Sequence, residues 1–112
     1  MASDADRRLA VYGTLAPGRT NHHQVSMLRG QWTKGHVRGR LHAEGWGAAL
    51  GYPALVLGVG EAVAVDLLDS ADLPDHWPRL DAFEGDGYAR VITEVMTANG
   101  PVRANIYVLA DR

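Results

Sequence analysis

The clearest alternation of apolar and polar positions lies in the last third of the chain. In the segment 102–110 every second residue is apolar, and the residues between them include Arg103, Asn105 and Tyr107. A period of two predicts a strand with one apolar face and one face that carries polar groups. The segment 90–97 precedes it, and the Asn99-Gly100 pair between them is a typical hairpin turn. The pattern therefore predicts an antiparallel hairpin.

Short apolar runs bounded by breakers predict four earlier strands, at 9–12, 37–43, 54–58 and 61–68. Asn21 is a candidate cap for a short helix through Leu28 that ends at Gly30. Strands and helices do not alternate in a βαβ rhythm. We therefore predict an α+β fold with a mainly antiparallel sheet, strongly curled or closed into a small barrel, and two or three short helices.

The main helix is predicted between Asp75 as N-cap and Gly85 as C-terminal cap, with Pro78 in its first turn. Its apolar face has the helical spacing of three to four residues and contains Trp77, Leu80, Phe83 and Glu84. Glu84 thus lies at the apolar edge of the helix, where a carboxylate is partly shielded from water. Asp81 and Asp86 are better explained as a structural hydrogen-bonding residue and a turn former.

Composition narrows the classes of function. The chain has 112 residues, 46% of them hydrophobic and 21% charged, which predicts one globular domain over 1–112 with an ordered core at about 8–110. It has no cysteine, so thiol chemistry, cysteine-bound metals and disulfides are excluded. A net charge of -2 without a basic cluster argues against nucleic acid as a partner. The sequence contains neither a signal peptide nor a membrane span, so a cytoplasmic location is expected.

Five segments, in order along nearly the whole chain, resemble the gamma-glutamylcyclotransferase-like family, which includes gamma-glutamylamine cyclotransferases and small proteins of the avirulence-induced-gene type. The segments are Val11-Tyr12-Gly13-Thr14-Leu15 with Pro17-Gly18 and Asn21-His22, Gly39-Arg40-Leu41, Gly51-Tyr52-Pro53-Ala54, Leu80-Asp81-Ala82-Phe83-Glu84-Gly85 with Tyr88 and Arg90, and Ala104-Asn105-Ile106-Tyr107-Val108.

The resemblance implies a small mixed β-barrel and a cofactor-independent enzyme. Its members convert a γ-glutamyl amine or γ-glutamyl amino acid into 5-oxoproline and a free amine. The resemblance gives Glu84 the role of catalytic acid and base. By the same resemblance, the substrate-binding residues are Tyr12, Gly13, Thr14 and Leu15, whose loop holds the glutamyl group, and the pocket-lining Tyr88 and Tyr107.

The cyclisation requires the substrate's α-amine to lose a proton and the departing amine to gain one. One carboxylate can serve both steps. A glutamate with an ordinary pKa of about 4.3 facing an α-ammonium of about 8 leaves a gap of roughly 5 kcal/mol. We expect burial of Glu84, and the like charge of Asp81, to raise the Glu84 pKa and reduce that gap.

Several alternatives remain open at this stage. The chain could be a non-catalytic member of the same fold that binds a small ligand or a partner, and Asp81 with Glu84 could form a glycosidase pair. The five histidines lack a metal-binding spacing, so no metal is expected. The middle strand departs from the family at Val65-Asp66-Leu67-Leu68, which puts the substrate in question. The sequence names neither the leaving amine nor the oligomeric state.

Overall fold

The computed structural model describes residues 4–13, 15–19, 21–42 and 54–110. Within these ranges the regular elements are β1 (Arg8–Val11), β2 (Gln31–His42), β3 (Ala54–Leu57), β4 (Glu61–Asp69), α1 (Trp77–Glu84), β5 (Tyr88–Thr97) and β6 (Gly100–Leu109). Single 3₁₀ turns lie at Asp4–Arg7, His22–Gln24 and Leu73–Asp75. No helix in the described part of the chain is long and apolar enough to cross a membrane.

The sheet closes on itself as a five-stranded barrel. Its order is β3-β2-β4-β1-β6-β5, and an additional pairing of β2 with β5 closes the ring of β2, β4, β1, β6 and β5. The strand β3 pairs with β2 outside this ring. All pairs are antiparallel except β1 with β6. The predicted small, mixed, mainly antiparallel α+β barrel is therefore confirmed.

Two glycines allow β2 to serve both β5 and β3 along one edge. A Cβ at Gly35 would lie 2.7 Å from the carbonyl oxygen of Met96, and one at Gly39 would collide with the carbonyl of Val56. The absence of a side chain lets both neighbouring strands approach. β2 begins at Gln31, well before the predicted start at 37, because its first residues pair with the last residues of β4.

The hydrophobic residues form two clusters, one on each side of the barrel wall. The barrel interior contains Ala10, Val37, Leu55, Val63, Val65, Leu67, Val95, Ala104 and Ile106. The outer cluster, between the wall, α1 and the segment after β1, contains Leu9, Val11, Leu15, Ala16, Val25, Leu28, Leu68, Leu73, Trp77, Leu80 and Tyr107. The short helix α1 thus packs against the outside of the barrel.

The predicted helix from Asn21 to Leu28 is wrong. Only His22–Gln24 forms a 3₁₀ turn, and the Asn21 side chain makes no capping hydrogen bond there. The carbonyl of Gln24, which an α-helix would pair with the N–H of Leu28, accepts instead from Arg79 Nη2 at 2.8 Å. A tertiary contact to α1 thus replaces the helical hydrogen bond.

Two other boundaries shift by one residue or more. The helix α1 begins at Trp77 with His76 as its N-cap, and not at Asp75, which ends a 3₁₀ turn. In the hairpin, Thr97 pairs with Gly100, so the two loop residues are Ala98 and Asn99. Gly100 has a φ of +104°, which favours glycine, and the Thr97 hydroxyl donates to its carbonyl at 2.7 Å. The hairpin itself is confirmed.

Candidate active site

Glu84 is the last residue of α1 and is half-buried. Gly85 follows with a φ of +79°, and its N–H donates to the Asp81 carbonyl, which ends the helix at this point. Burial raises the pKa of the Glu84 carboxyl to about 7. The predicted upward shift of the Glu84 pKa is correct, but burial alone causes it. The negative charge of Asp81 does not contribute, because the guanidinium of Arg90 pairs with it.

Asp81 forms an ion pair with Arg90 and also accepts a hydrogen bond from Tyr107. Its Oδ1 accepts from Arg90 Nε at 2.8 Å and from the Tyr107 hydroxyl at 2.7 Å, and its Oδ2 accepts from Arg90 Nη2 at 3.3 Å. Desolvation raises the pKa of Asp81, but these hydrogen bonds and the Arg90 charge outweigh it, so the pKa lies below its ordinary value. Asp81 is therefore ionised at neutral pH and serves as an acceptor.

Arg90 is held by two further contacts. Its guanidinium lies over the Trp77 ring at 4.4 Å from the centroid, and its Nη1 donates to Asn105 Oδ1 at 2.9 Å. Asn105 is 2% exposed and donates through Nδ2 to the Ala5 carbonyl at 2.7 Å. Sequence reasoning identified neither Arg90 nor Asn105 as part of a network. The polar residues on one face of β6 were the sequence feature that could have indicated such a network.

The Tyr12 hydroxyl connects three strands. It donates to the Tyr107 carbonyl at 2.7 Å and accepts from the Leu55 N–H at 3.2 Å. Burial is the main cause that raises the Tyr12 pKa, with smaller contributions from the neighbouring Tyr88 and Glu84. The single proton of this hydroxyl is thus committed to β6, and the side chain acts as a structural tie in this arrangement.

The loop after β1 follows Tyr12 directly. Thr14 lies outside the described residues, whereas Gly13 and Leu15 are described, and Leu15 is 4% exposed. The Gly13 carbonyl accepts from the Ala16 N–H at 3.1 Å, and the Leu15 carbonyl contacts His22 Nδ1 at 2.9 Å. The loop is therefore an ordered turn in which both of these carbonyl oxygens have a hydrogen-bond partner.

The structure brings four of the predicted side chains together. Burial is the main cause that raises the Tyr107 pKa, the Asp81 contact adds to it, and the Glu84 charge contributes to the pKa of both Tyr107 and Tyr12. Tyr88 opens β5 three residues after Gly85 and also influences Tyr12. A carboxyl with a pKa of about 7, close enough to Tyr12 and Tyr107 to influence the pKa of both, can exchange a proton with a bound amine at neutral pH.

Two other features lie apart from this cluster. A groove of about 270 Å³ between β2, β3 and β5 is lined by His36, Arg38 and Glu94, among others, and by none of the predicted site residues. The segment of β4 that differs from the family pattern, residues 65–68, is part of the hydrophobic packing. Val65 and Leu67 lie in the barrel interior, and Leu68 lies in the outer cluster. Asp66 accepts from Lys34 Nζ at 2.6 Å. All four residues of the departure thus have structural contacts.

Comparison with known proteins gives one family and several solved structures. The family model for gamma-glutamyl cyclotransferase, AIG2-like proteins matches residues 9–112. A search of curated proteins yields no match.

The solved structures share the fold. YkqA from Bacillus subtilis is 26% identical with a TM-score of 0.72; the match covers 92% of this chain and 35% of that one, so the present chain spans about a third of its length. An uncharacterized protein from Pyrococcus horikoshii is 25% identical with a TM-score of 0.66, over 94% of this chain and 79% of that one. An aig2-like protein from Mus musculus is 21% identical with a TM-score of 0.69, over 93% of this chain and 77% of that one.

Proposed function

The chain belongs to the gamma-glutamyl cyclotransferase, AIG2-like family, and from this premise we propose that it converts a γ-glutamyl amine or γ-glutamyl amino acid into 5-oxoproline and the free amine. Glu84 is the general base and then the general acid. The loop at Tyr12, Gly13, Thr14 and Leu15 holds the glutamyl group, and Tyr88 and Tyr107 line the pocket.

The half-buried position of Glu84 at the end of α1, which raises its pKa to about 7, is the observation that carries this proposal. Against an α-ammonium with a pKa of about 8, the gap for proton transfer falls from roughly 5 kcal/mol to about 1.4 kcal/mol. A solvent-exposed carboxylate on the same helix would not have this property. Asp81, with its lowered pKa, is a poor base and accounts for the structure of the site instead.

The reaction uses the atoms of the substrate and one proton carrier. Glu84 takes a proton from the α-ammonium, and the free amine nitrogen attacks the γ-carbonyl carbon to form the ring C–N bond. As the bond from that carbon to the departing nitrogen breaks, Glu84 returns the proton to this nitrogen. The regenerated carboxylate then carries the second proton of the ring nitrogen to the released amine, so that the products are the neutral lactam and an ammonium ion. Holding both ends of one flexible substrate in a folded conformer supplies much of the rate enhancement.

The first experiment tests the reaction and the role of Glu84 together. The protein is incubated with a panel of γ-glutamyl amines and γ-glutamyl amino acids, and 5-oxoproline is quantified by mass spectrometry. We expect conversion of at least one substrate and a loss of roughly 10²- to 10⁴-fold in kcat for Glu84→Gln. Asp86→Asn, an exposed acid two residues away, is the matched control and should retain full activity.

The pH profile sharpens the assignment. A base must be deprotonated to act, so kcat/KM should rise with pH and level off above about 7, the raised pKa of Glu84. Full activity of Glu84→Gln would contradict the role of this residue. Binding of substrates without conversion would support a non-catalytic binding protein of the same fold.

A further inference from the structure

A groove opens where β2 changes partners along one edge. The strand pairs with β5 at Gly35 and His36, and with β3 from Gly39 onward. Val37 and Arg38 lie between these two pairings. The strands β3 and β5 separate at this point, and the space between them is a groove of about 270 Å³. None of the described residues that line it belongs to the proposed active site.

The alternation of side chains along a strand divides the lining of the groove into a floor and a rim. Val37 and Leu57 belong to the apolar cluster of the barrel interior and form the floor. Arg38 follows Val37 and therefore points away from the interior. Glu94 of β5 precedes the buried Val95 and points outward for the same reason. The rim thus carries a positive side chain on the β2 side and a negative one on the β5 side.

The two charges at the rim do not neutralise each other. Arg38 and Glu94 are both exposed, and among the described residues no ion pair includes either of them. Arg103 lies opposite Glu94 in the β5–β6 ladder, but no ion pair joins these two residues either. In contrast, Lys34 on the same face of β2 is neutralised by Asp66 at 2.6 Å. A cation and an anion on the two sides of a groove are complementary to the two ends of a zwitterion.

Backbone contacts fix both ends of the groove. At one end Met96 of β5 pairs with His36, and at the other the Gly58 N–H donates to the Arg38 carbonyl at 3.3 Å. Gly58 has a φ of +136°, which favours glycine, so this residue specifies the turn that follows β3. Since both walls are attached to β2, the separation of the two charges is a property of the sheet and does not have to be created when a ligand binds.

We propose that this groove is a second binding site, selective for a small aliphatic amino acid in its zwitterionic form. Arg38 binds the carboxylate, Glu94 binds the ammonium group, and the aliphatic side chain lies on Val37 and Leu57. The volume of about 270 Å³ is below the roughly 300–1,000 Å³ of pockets for drug-sized molecules, which suits a ligand of this size. A ligand with only a negative charge would be repelled by Glu94, and one with only a positive charge by Arg38.

A titration followed by ¹H–¹⁵N NMR tests the site with three probes of similar shape. L-valine carries both charges, isobutylamine lacks the carboxylate, and 3-methylbutanoate lacks the ammonium group. Each is added to the unmodified protein, to Arg38→Gln and to Glu94→Gln. The matched controls are Arg40→Gln and Glu61→Gln, which remove exposed charges on β2 and β4 that do not line the groove. Thermal melts verify that each variant is folded.

We expect L-valine to bind the unmodified protein several-fold more tightly than either analogue, with the largest shifts at the N–H signals of Gly58 and Thr93, which line the groove. Arg38→Gln should weaken L-valine by about threefold to tenfold and leave isobutylamine unweakened, because isobutylamine has no carboxylate to lose a partner. Glu94→Gln should weaken L-valine to a similar extent and leave 3-methylbutanoate unweakened. Both control variants should keep the affinity of the parent.

The comparison of the three probes on the unmodified protein needs no variant and can overturn the inference by itself. If 3-methylbutanoate binds as tightly as L-valine, the groove is a simple anion site, and if isobutylamine does so, it is a cation site. Absence of L-valine binding, or shifts confined to the surroundings of Glu84, would equally contradict it. No readout depends on turnover, so this inference and the proposed function stand or fail separately.

Discussion

The two faces of β6 differ in what they can contribute to function. Ala104 and Ile106 point into the barrel interior, where every member of the cluster is apolar. Asn105 and Tyr107 point to the outer layer beneath α1, and both are buried with polar partners, Arg90 and Asp81. One strand thus joins an apolar interior to an outer layer that holds paired polar groups beside its hydrophobic side chains.

The comparison shows how a small fold accommodates buried polar groups. Among the described residues, no buried side-chain nitrogen or oxygen lacks a hydrogen-bond partner. The polar side chains are placed where α1, β5 and β6 can supply those partners, because an unpaired buried group is costly. Closure of the barrel therefore depends on the interior, and the proposed proton chemistry depends on the outer layer.

The largest effect is expected in the interior. Ile106→Ala removes a fully buried side chain and should lower the free energy of unfolding by about 4 kcal/mol, the sum of lost burial and a cavity. Ile92→Ala, on the neighbouring strand and 44% exposed, is the matched control and should change it by less than about 0.5 kcal/mol. Urea denaturation measures both. Equal losses would show that the interior is not the main source of stability.

The pattern of apolar and polar residues was sufficient to predict most of the strands and the helix that surround this interior. The alternation in β6, the hairpin signal and the helical spacing of Trp77 and Leu80 were each read correctly, because each depends on neighbours along the chain. The early start of β2 and the parallel pairing of β1 with β6 were not predicted. Both depend on which strands meet in space, and sequence spacing does not encode that.

The site was predicted in a similar way. Glu84 could be placed at an apolar edge from helical spacing, and its raised pKa follows from that edge. The ion pair of Asp81 with Arg90 and the hydroxyl of Tyr107 could not be predicted, since the three residues come from α1, β5 and β6. The contact of His22 Nδ1 with the Leu15 carbonyl could not be predicted either, because the sequence pattern predicted a helix at this position and the helix did not form.

The second prediction concerns the stability that the protein loses because Glu84 is buried in the outer layer. The pKa of Glu84 is raised from 4.5 to about 7 in the folded protein. Below pH 4.5 the group is neutral in both states, and stability then falls as the pH rises toward 7, because the unfolded chain ionises first. Glu84→Gln removes this effect and should stabilise the protein above pH 7 by up to about 3 kcal/mol.

Denaturant unfolding at pH 4.5 and pH 8 tests the prediction. The gain of Glu84→Gln should appear at pH 8 and vanish at pH 4.5. Glu94→Gln, which alters an exposed glutamate on β5, is the control and should show little dependence on pH. A variant that is no more stable than its parent at pH 8 would mean that the carboxylate is well solvated, and the proposed role of Glu84 would lose its physical basis.

The smallest of the three effects concerns the residue that links the two regions. Tyr12 packs its ring against the barrel interior, and its hydroxyl joins the Tyr107 carbonyl of β6 to the Leu55 N–H of β3. Tyr12→Phe leaves both backbone groups without this partner and should lower the free energy of unfolding by about 2 kcal/mol. Because the hydroxyl proton is already committed to β6, kcat/KM measured at a temperature where the variant is folded should change by less than about threefold. A large loss of kcat with unchanged stability would instead show that the hydroxyl turns toward the substrate during the reaction, and Tyr12 would then belong to the chemistry of the outer layer and not to the closure of the barrel.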